Sequence, residues 1–300
     1  MSGEFLAVVN PAAGGGRGRK LVGPALERLR AGGLTVDVIE TCGPAQASQI
    51  ARDAWGRGYR KFIAVGGDGT ACEVVNGLFP RESATDPPTL AFLPLGTGNS
   101  FLREFSDRGV EHAMEALLAR RSRPCDVLRM MHTTGVLHFI NLLSMGFAAD
   151  VAMLRTRRFS AWGELGYQAS IFISLVRLRR RPFPLRVDGK GEIDRRSCLF
   201  LTFNNSKFTG GTMMIAPKAE VDDGLIEYVR WGPIGRIGLI RNLPTLYDGT
   251  HIQHPLAERH AAKRIEFYLD APVDVMVDGE VMTLHCQTMD VLPAALNVVV

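Results

Sequence analysis

The chain carries five cysteines, Cys42, Cys72, Cys125, Cys198 and Cys286, an odd number with no CxxC pair among them. That spacing argues against a disulfide framework and a structural zinc site, and it suits a reducing cytoplasm best. No apolar run reaches the about 18 residues of a spanning helix. The N-terminal MSGEFLAVVNPAAGGG has no basic segment followed by a long apolar one. A protein neither exported by a signal peptide nor embedded in a bilayer is expected. Net charge is small as well. The 35 Lys and Arg against 31 Asp and Glu leave +4, too little for a dedicated nucleic-acid binder. There is no internal repeat and no HExxH, and His251 and His254 have no further ligand beside them in the sequence.

Apolar residues make up 46% of the chain and charged residues 22%, so a folded core is expected, and 300 residues suit two domains. Glycine is in excess, 32 residues against a usual share of about 7%, and many fall in three short clusters. The first third alternates apolar runs with helical patterns: Phe5 to Val9, Arg17 to Arg30, Leu34 to Ile39, Ala45 to Arg57, Lys61 to Val65, Thr70 to Leu78 and Leu90 to Leu93. That βαβα rhythm predicts a Rossmann-like, three-layer α/β domain whose mostly parallel sheet takes ligands at the carboxyl ends of its strands. NPAAGGG, GGDGT and PLGTGN each follow one of the apolar runs, so three glycine loops are expected on one edge.

The rhythm changes at Arg120 to Pro124. Beyond it come short strand patterns at Leu137 to Leu143, Leu185 to Val187, Ser197 to Phe203, Leu225 to Val229, Arg264 to Leu269, Val273 to Val277 and Val281 to Leu284. Helical patterns interrupt them at Trp162 to Arg180 and at Pro233 to Asp248. The expected architecture is α/β plus all-β: an α/β domain over 1–124, then a β-sandwich over 125–300, with Met289 to Val300 pairing back onto one of the sheets.

A strand running into Gly66-Gly67-Asp68-Gly69-Thr70 and then a helix puts unhindered backbone N–H groups at a helix N-terminus, a cradle for a polyphosphate. Asp68 would repel a bare phosphate, so a functional Asp68 implies a metal ion or a substrate hydroxyl beside it. The plainer reading of GGDG is a tight turn. Asn10 to Gly16 is a second such loop. Neither GxxxxGKS nor GxxxxGKT nor GxGxxG can be written across it, which excludes a P-loop and a plain dinucleotide fingerprint. In Gly96-Thr97-Gly98-Asn99 the hydroxyl and amide side chains offer hydrogen bonds to a nucleotide or an acceptor. By themselves, Asp278-Gly279-Glu280 reads as a hairpin turn and Val221 to Leu225 as another turn.

In this order and spacing, NPAAGGGRG, GGDGTACEVVNGL and LPLGTGNSFLREF resemble the diacylglycerol kinase catalytic domain of bacterial lipid kinases and sphingosine kinases. The resemblance continues through NLLSMGFAADV, GYQASIFISLVRLRRRPFPLRVDG, NNSKFTGGTMMIAPKAEVDDGLIEYV and VDGE, over nearly the whole chain. GGDGT alone would fit NAD kinases and phosphofructokinases; the NPxxGGG, GTGN, DDGL and DGE blocks together favour the lipid kinases. The resemblance implies transfer of the γ-phosphoryl group of ATP to a lipid hydroxyl such as that of diacylglycerol, with ATP and Mg²⁺ held between the two domains. It places nucleotide contacts at Asn10, Pro11, Ala12, Ala13, Gly14, Thr41, Gly66, Gly67, Asp68, Gly69, Thr70, Ala71, Cys72, Glu73 and Thr97. It assigns the general base to Glu280 with Asp278 beside it, the nucleotide's Mg²⁺ partly to Asp68, and a separate structural Mg²⁺ to Glu220, Asp223 and Leu225.

Two departures bear on this. Cys72 stands where the family carries Asn, and Ser100 where bacterial diacylglycerol kinases often carry Asp, which puts the nucleotide loop and the acceptor's identity in question. An NAD-kinase-like phosphotransferase with a soluble acceptor and a noncatalytic nucleotide-binding membrane module are the alternatives. A lipid acceptor requires a membrane, and Ile171 to Arg181 joins a very apolar stretch to a basic end, with Arg155, Arg157 and Arg158 nearby. That segment is a docking face for anionic head groups, or a core helix whose basic C-terminus complements its dipole. The expectation is a cytoplasmic protein peripheral to the inner face of the membrane, with a lipid substrate, no nucleic acid, and a homodimer left open. Trp55, Trp162, Trp231, Met213 and Met214 are expected in the core or lining a groove, the methionines facing an acyl chain.

Overall fold

The structure is a computed structural model that describes residues 3–16, 18–80, 86–95, 99–159 and 162–300. In β1 (Phe5–Val9) every residue is buried, and the sides alternate. Phe5, Ala7 and Val9 share a core with Leu26 and Leu29 of α1 (Gly18–Ala31) and Met114 and Leu117 of α4 (Val110–Ala119). Leu6 and Val8 share another with Ala51 and Ala54 of α2 (Gln46–Gly56) and Val74 and Val75 of α3 (Asp68–Leu78). A strand buried on both faces needs apolar residues at both parities, which is why its sequence is continuously apolar. Each large side chain so buried contributes roughly 1.5–3 kcal/mol. With β2 (Val36–Glu40), β3 (Lys61–Gly66) and β4 (Thr89–Pro94), β1 forms a parallel run in the order β2-β1-β3-β4. This is the expected three-layer α/β arrangement. Its order reverses between β1 and β3, and ligands of such folds lie in the crevice beyond the carboxyl ends at that point.

β5 (Ser122–His132) and β6 (Gly135–Phe139) form an antiparallel pair, and β5 also pairs with the long C-terminal strand Cys286–Val299. That last strand ends parallel to β4, with Asn297 opposite Thr89, so one ten-stranded sheet runs through both halves of the chain. A six-stranded sheet faces its antiparallel part. It contains β7 (Leu142–Gly146), Phe200–Asn204, Ile226–Trp231, Ala257–Ala262, Val273–Val277 and Glu280–Leu284. Leu128, Met130, Phe139, Phe203, Tyr228, Ile265, Val275 and Met289 fill the space between as the sandwich core. Outside the six-stranded sheet, α5 (Phe147–Leu154) follows β7 directly, and α6 (Gly163–Val176) packs against α5.

Three expected elements divide. Leu137 to Leu143 is not one strand: the chain leaves one sheet at Phe139 and enters the other at Leu142, because the amides between turn to a side chain described below. Ser197 to Phe203 splits at Leu199, with Ser197–Cys198 pairing to Arg181–Pro182 and the rest entering the six-stranded sheet. Pro233 to Asp248 becomes α7 (Arg236–Asn242) and the single turn Thr245–Asp248, since Pro244 lacks the N–H that would continue the first helix. Trp231 is fully buried, whereas Trp162 is exposed, a correction to its expected core or groove position that matters for α6.

Candidate active site

The first loop is shaped by Asn10. Its backbone N–H extends the sheet to the Val65 carbonyl at 3.0 Å, its Oδ1 accepts the Ala12 N–H at 3.0 Å, and its Nδ2 reaches Thr70 Oγ1 at 3.3 Å. The turn through Pro11, Ala12, Ala13 and Gly14 is thereby drawn against the first turn of α3. Gly66 is required where β3 ends, because a Cβ there would overlap the Thr70 hydroxyl. Gly67 caps α3 in an extended conformation and Asp68 is the first helical residue, so the N-terminus of α3 directly follows the carboxyl end of β3, beside the switch point. The Thr41 N–H bonds the Val9 carbonyl at 2.8 Å, which sets Thr41 beside the same edge. Ser100 N donates to Asp68 Oδ2 at 2.9 Å, so the Gly66–Thr70 loop holds the segment that follows Asn99. Gly96, Thr97 and Gly98 lie outside the described residues. Behind Gly66, Gly67 and Asp68 a cavity of about 10 Å³ has room for one water.

The opposite wall comes from the β half. Val277 pairs with Glu280, and Asp278 and Gly279 between them have φ of 46° and 88°, a two-residue turn of the kind both left-handed positions dictate. The turn sets Glu280 against the glycine loop: a Cβ on Gly69 would overlap the Glu280 carboxyl. Glu280 is exposed as a residue, but desolvation of its carboxyl where it packs on the loop, then the charge of Glu73, lifts that carboxyl above the ordinary glutamate range. Burial likewise lifts Asp68, against the pull of the Ser100 and Phe101 amides.

Asp278, expected beside the base, has a structural role in this site. It is buried, and its carboxylate accepts the N–H groups of Ile140 at 3.1 Å, Asn141 at 3.1 Å and Leu142 at 2.9 Å. Its own N–H donates to the Leu142 carbonyl at 3.0 Å. These bonds break the β6–β7 connection and anchor the turn that presents Glu280. Burial pushes the Asp278 carboxyl up to about 7. Glu73, expected among the nucleotide contacts, has oxygens that accept the N–H groups of Ala45 at 3.0 Å and Ala47 at 3.1 Å, satisfying the open N-terminus of α2.

Cys72 is buried on α3. Burial, followed by the charges of Asp278, Glu280, Glu73 and Asp68, drives its thiol far above the usual range. Of these four carboxylates, Asp278 is engaged by the β6–β7 amides and Glu73 by the N-terminus of α2, which leaves Asp68 and Glu280 at the start of the helix. Oxygen donors of this kind suit a hard cation and disfavour a bare anion, so Asp68 and Glu280 fit a Mg²⁺-bound phosphate group. Ser100, in the position whose carboxylate was expected to meet an acceptor, is buried, and its Oγ accepts the Gly211 N–H at 2.9 Å across the two halves.

Glu220, Asp223 and Leu225 lie apart from this site. Asp223 is exposed and its Oδ1 accepts the Leu225 N–H at 2.9 Å, while Asp126 ties the loop down by accepting Gly224 N–H at 2.6 Å and Ala294 N–H at 2.7 Å. Local desolvation, then the charges of Asp126, Glu220 and Glu227, raises the Asp223 carboxyl against the pull of the Leu225 N–H. Among the described residues no three carboxylate, His or Cys side chains are grouped to hold an ion alone, so carbonyls such as that of Leu225 would have to complete the shell.

Several residues here carried no sequence signal of their own. Asn76 spans the halves, its Nδ2 donating to the His138 carbonyl at 2.7 Å and its Oδ1 accepting the His138 N–H at 2.9 Å. Asn205 donates to the carbonyls of Asp126 at 3.0 Å and Ile140 at 2.9 Å, and Ser206 Oγ to Asn141 Oδ1 at 2.5 Å. Lys207 pairs with Glu104. The one cue was amides inside apolar runs, at Asn141 and at Asn204-Asn205, where a buried side chain must find backbone partners.

Known proteins share these two domains. Residues 4–130 match the diacylglycerol kinase catalytic domain, and residues 141–300 match the YegS C-terminal NAD kinase β-sandwich-like domain. A diacylglycerol kinase of Mycobacterium tuberculosis is 29% identical over 302 residues, covering 99% of this chain and 94% of the relative. A diacylglycerol kinase of Bacillus subtilis is 27% identical over 301 residues, covering 95% of each. The crystal structure of a diacylglycerol kinase from Bacillus anthracis superposes with a TM-score of 0.73 at 20% identity, over 100% of this chain and 97% of that one, a likeness of fold.

Proposed function

Because the chain belongs to the kinase family that joins a diacylglycerol kinase catalytic domain to a YegS-type β-sandwich domain, we propose that it transfers the γ-phosphoryl group of ATP to the hydroxyl of a lipid, diacylglycerol or a relative, at the inner face of the cytoplasmic membrane. The observation that carries the reading is the Glu280 carboxyl packed against Gly69 at the mouth of the phosphate-type loop. The N–H groups opening α3 and the turn from Asn10 to Gly14 would hold the nucleotide phosphates. Asp68 would hold Mg²⁺ there, and Glu220, Asp223 and the Leu225 carbonyl a second, structural ion. Mg²⁺, when bound, supplies neutralisation of the charge on the transferring group. Glu280 accepts the proton of the acceptor hydroxyl as its oxygen bonds to the γ-phosphorus and the bond to the β-phosphate oxygen breaks, releasing ADP. The raised Glu280 carboxyl makes it a better base than an ordinary glutamate.

The test is transfer of labelled phosphate from ATP with Mg²⁺ to a total lipid extract in mixed micelles. A labelled lipid is expected, with Glu280→Gln reducing the rate by about 10²–10⁴-fold. Equal labelling by that variant would remove Glu280 from the chemistry. Label in a water-soluble product, NAD included, would move the acceptor out of the lipid class, and ATP binding without transfer to any acceptor would leave a noncatalytic module.

A further inference from the structure

We infer that α6 and α7 form a docking face for an anionic lipid bilayer, with apolar side chains entering the head-group layer and arginines around them binding lipid phosphates. This deepens the lipid-kinase reading and rests on it only for its purpose.

A helix packed on a water-soluble protein turns its apolar stripe inward. In α6 the buried positions four residues apart are Gly166, Ser170 and Ser174, with Ser170 Oγ bonded back to the Gly166 carbonyl at 2.7 Å. The outward face is the apolar one. Leu165 is 76% exposed, Phe172 66% and Val176 54%, at helical positions that coincide, and Trp162 at the N-terminal end is 63% exposed. Arg236 donates to the Leu175 and Val176 carbonyls at 3.2 and 2.8 Å, which brings α7 against the end of α6 with its own Ile237 and Ile240 68% and 51% exposed. An apolar face of this extent needs a partner.

The charge says which partner. From Val151 to Arg181 the chain has seven arginines, and Glu164 is its one acidic residue. Arg157, Arg158, Arg177 and Arg179 are exposed, and none makes an ion pair among the described residues. A second copy on the same face would set arginine against arginine. A surface of lipid phosphates accepts both the arginines and the apolar side chains. No helix among the described residues is long and apolar enough to cross a membrane, so the contact is interfacial. α5 lies between α6 and the hairpin that carries Glu280, which places the face one helix away from the candidate base.

The test sediments the full chain with sucrose-loaded vesicles of phosphatidylcholine, alone or mixed with phosphatidylglycerol, without nucleotide. The wild type should bind the anionic vesicles selectively and release on raising salt. Each arginine neutralised should weaken binding about fivefold, so Arg157→Gln with Arg158→Gln weakens it on the order of 25-fold. Leu165→Glu with Phe172→Glu should abolish sedimentation while far-UV circular dichroism and the unfolding midpoint stay at wild-type values. Emission of Trp162 should move to shorter wavelength with anionic vesicles, and Trp162→Phe should remove that change. Wild-type binding by the Leu165/Phe172 double variant, or equal binding to neutral vesicles, overturns the proposal. So does a wild type that binds no vesicle but forms a dimer the double variant dissociates, which would make the face a self-interface. None of these readouts uses turnover, so failure here and failure of the kinase reading are separate results.

Discussion

The parallel half and the antiparallel half of this protein supply opposite things to the candidate site. The parallel half contributes backbone: N–H groups at the start of α3 and glycines where a ligand or another chain segment must come close. The antiparallel half contributes the turn that bears Glu280, held in place by Asp278 from strands far apart in sequence. Backbone donors are placed by local geometry, since a strand, a glycine turn and a helix suffice. A carboxylate at the tip of a hairpin is placed only by what anchors the hairpin. The first arrangement survives most side-chain changes; the second depends on one buried carboxylate.

The sharpest way to break this contrast is Asp278→Asn. It leaves three backbone donors facing an amide, and a loss on the order of 3 kcal/mol is expected, read from urea midpoints. Burial raises the wild-type carboxyl from the ordinary aspartate range to about 7, so its contribution to stability is complete at low pH and is lost as pH rises toward 7. The midpoint of the variant should lack that slope. A slope identical in both proteins would place the titration elsewhere.

Gly69→Ala separates stability from function. The new methyl displaces the Glu280 carboxyl but sits in a helix that gains propensity, so phosphoryl transfer should fall about 10²-fold with the unfolding midpoint unchanged or slightly raised. Full activity in this variant would mean that the contact between Glu280 and the glycine loop is not the working geometry. The smallest effect is expected at the seam: Asn76→Ala removes two bonds to His138 and should cost about 1–3 kcal/mol, with transfer activity recovered wherever the protein stays folded.

The same division runs through what could be read from residues alone. β1 and β3 were legible because an unbroken apolar run bounded by glycine has few alternatives, and the three loops follow from where those runs end. Glu73 was not, because its role depends on α2 lying with its N-terminus beside α3, a contact between elements about thirty residues apart. Asp278 reads as a hairpin turn and is one; that its side chain also holds the β6–β7 break required knowing which strands meet. The expected strand Leu137 to Leu143 failed for the same reason, since nothing local marks Ile140 and Asn141 as donors to residue 278.

By itself the sequence determined the parallel sheet, the glycine loops at its carboxyl edge and the pairing of an α/β half with a β-rich one, because periodicity, chirality and turn chemistry act over a few residues. Only the tertiary structure decided that Asp278 anchors while Glu280 faces the loop, that Glu73 caps a helix, and that α6 turns its apolar side to solvent. Leu165, Phe172 and Val176 would serve a core equally well by composition. Which side of a helix is buried is set by the surface it lands on, and that surface is assembled from strands the local sequence does not contain.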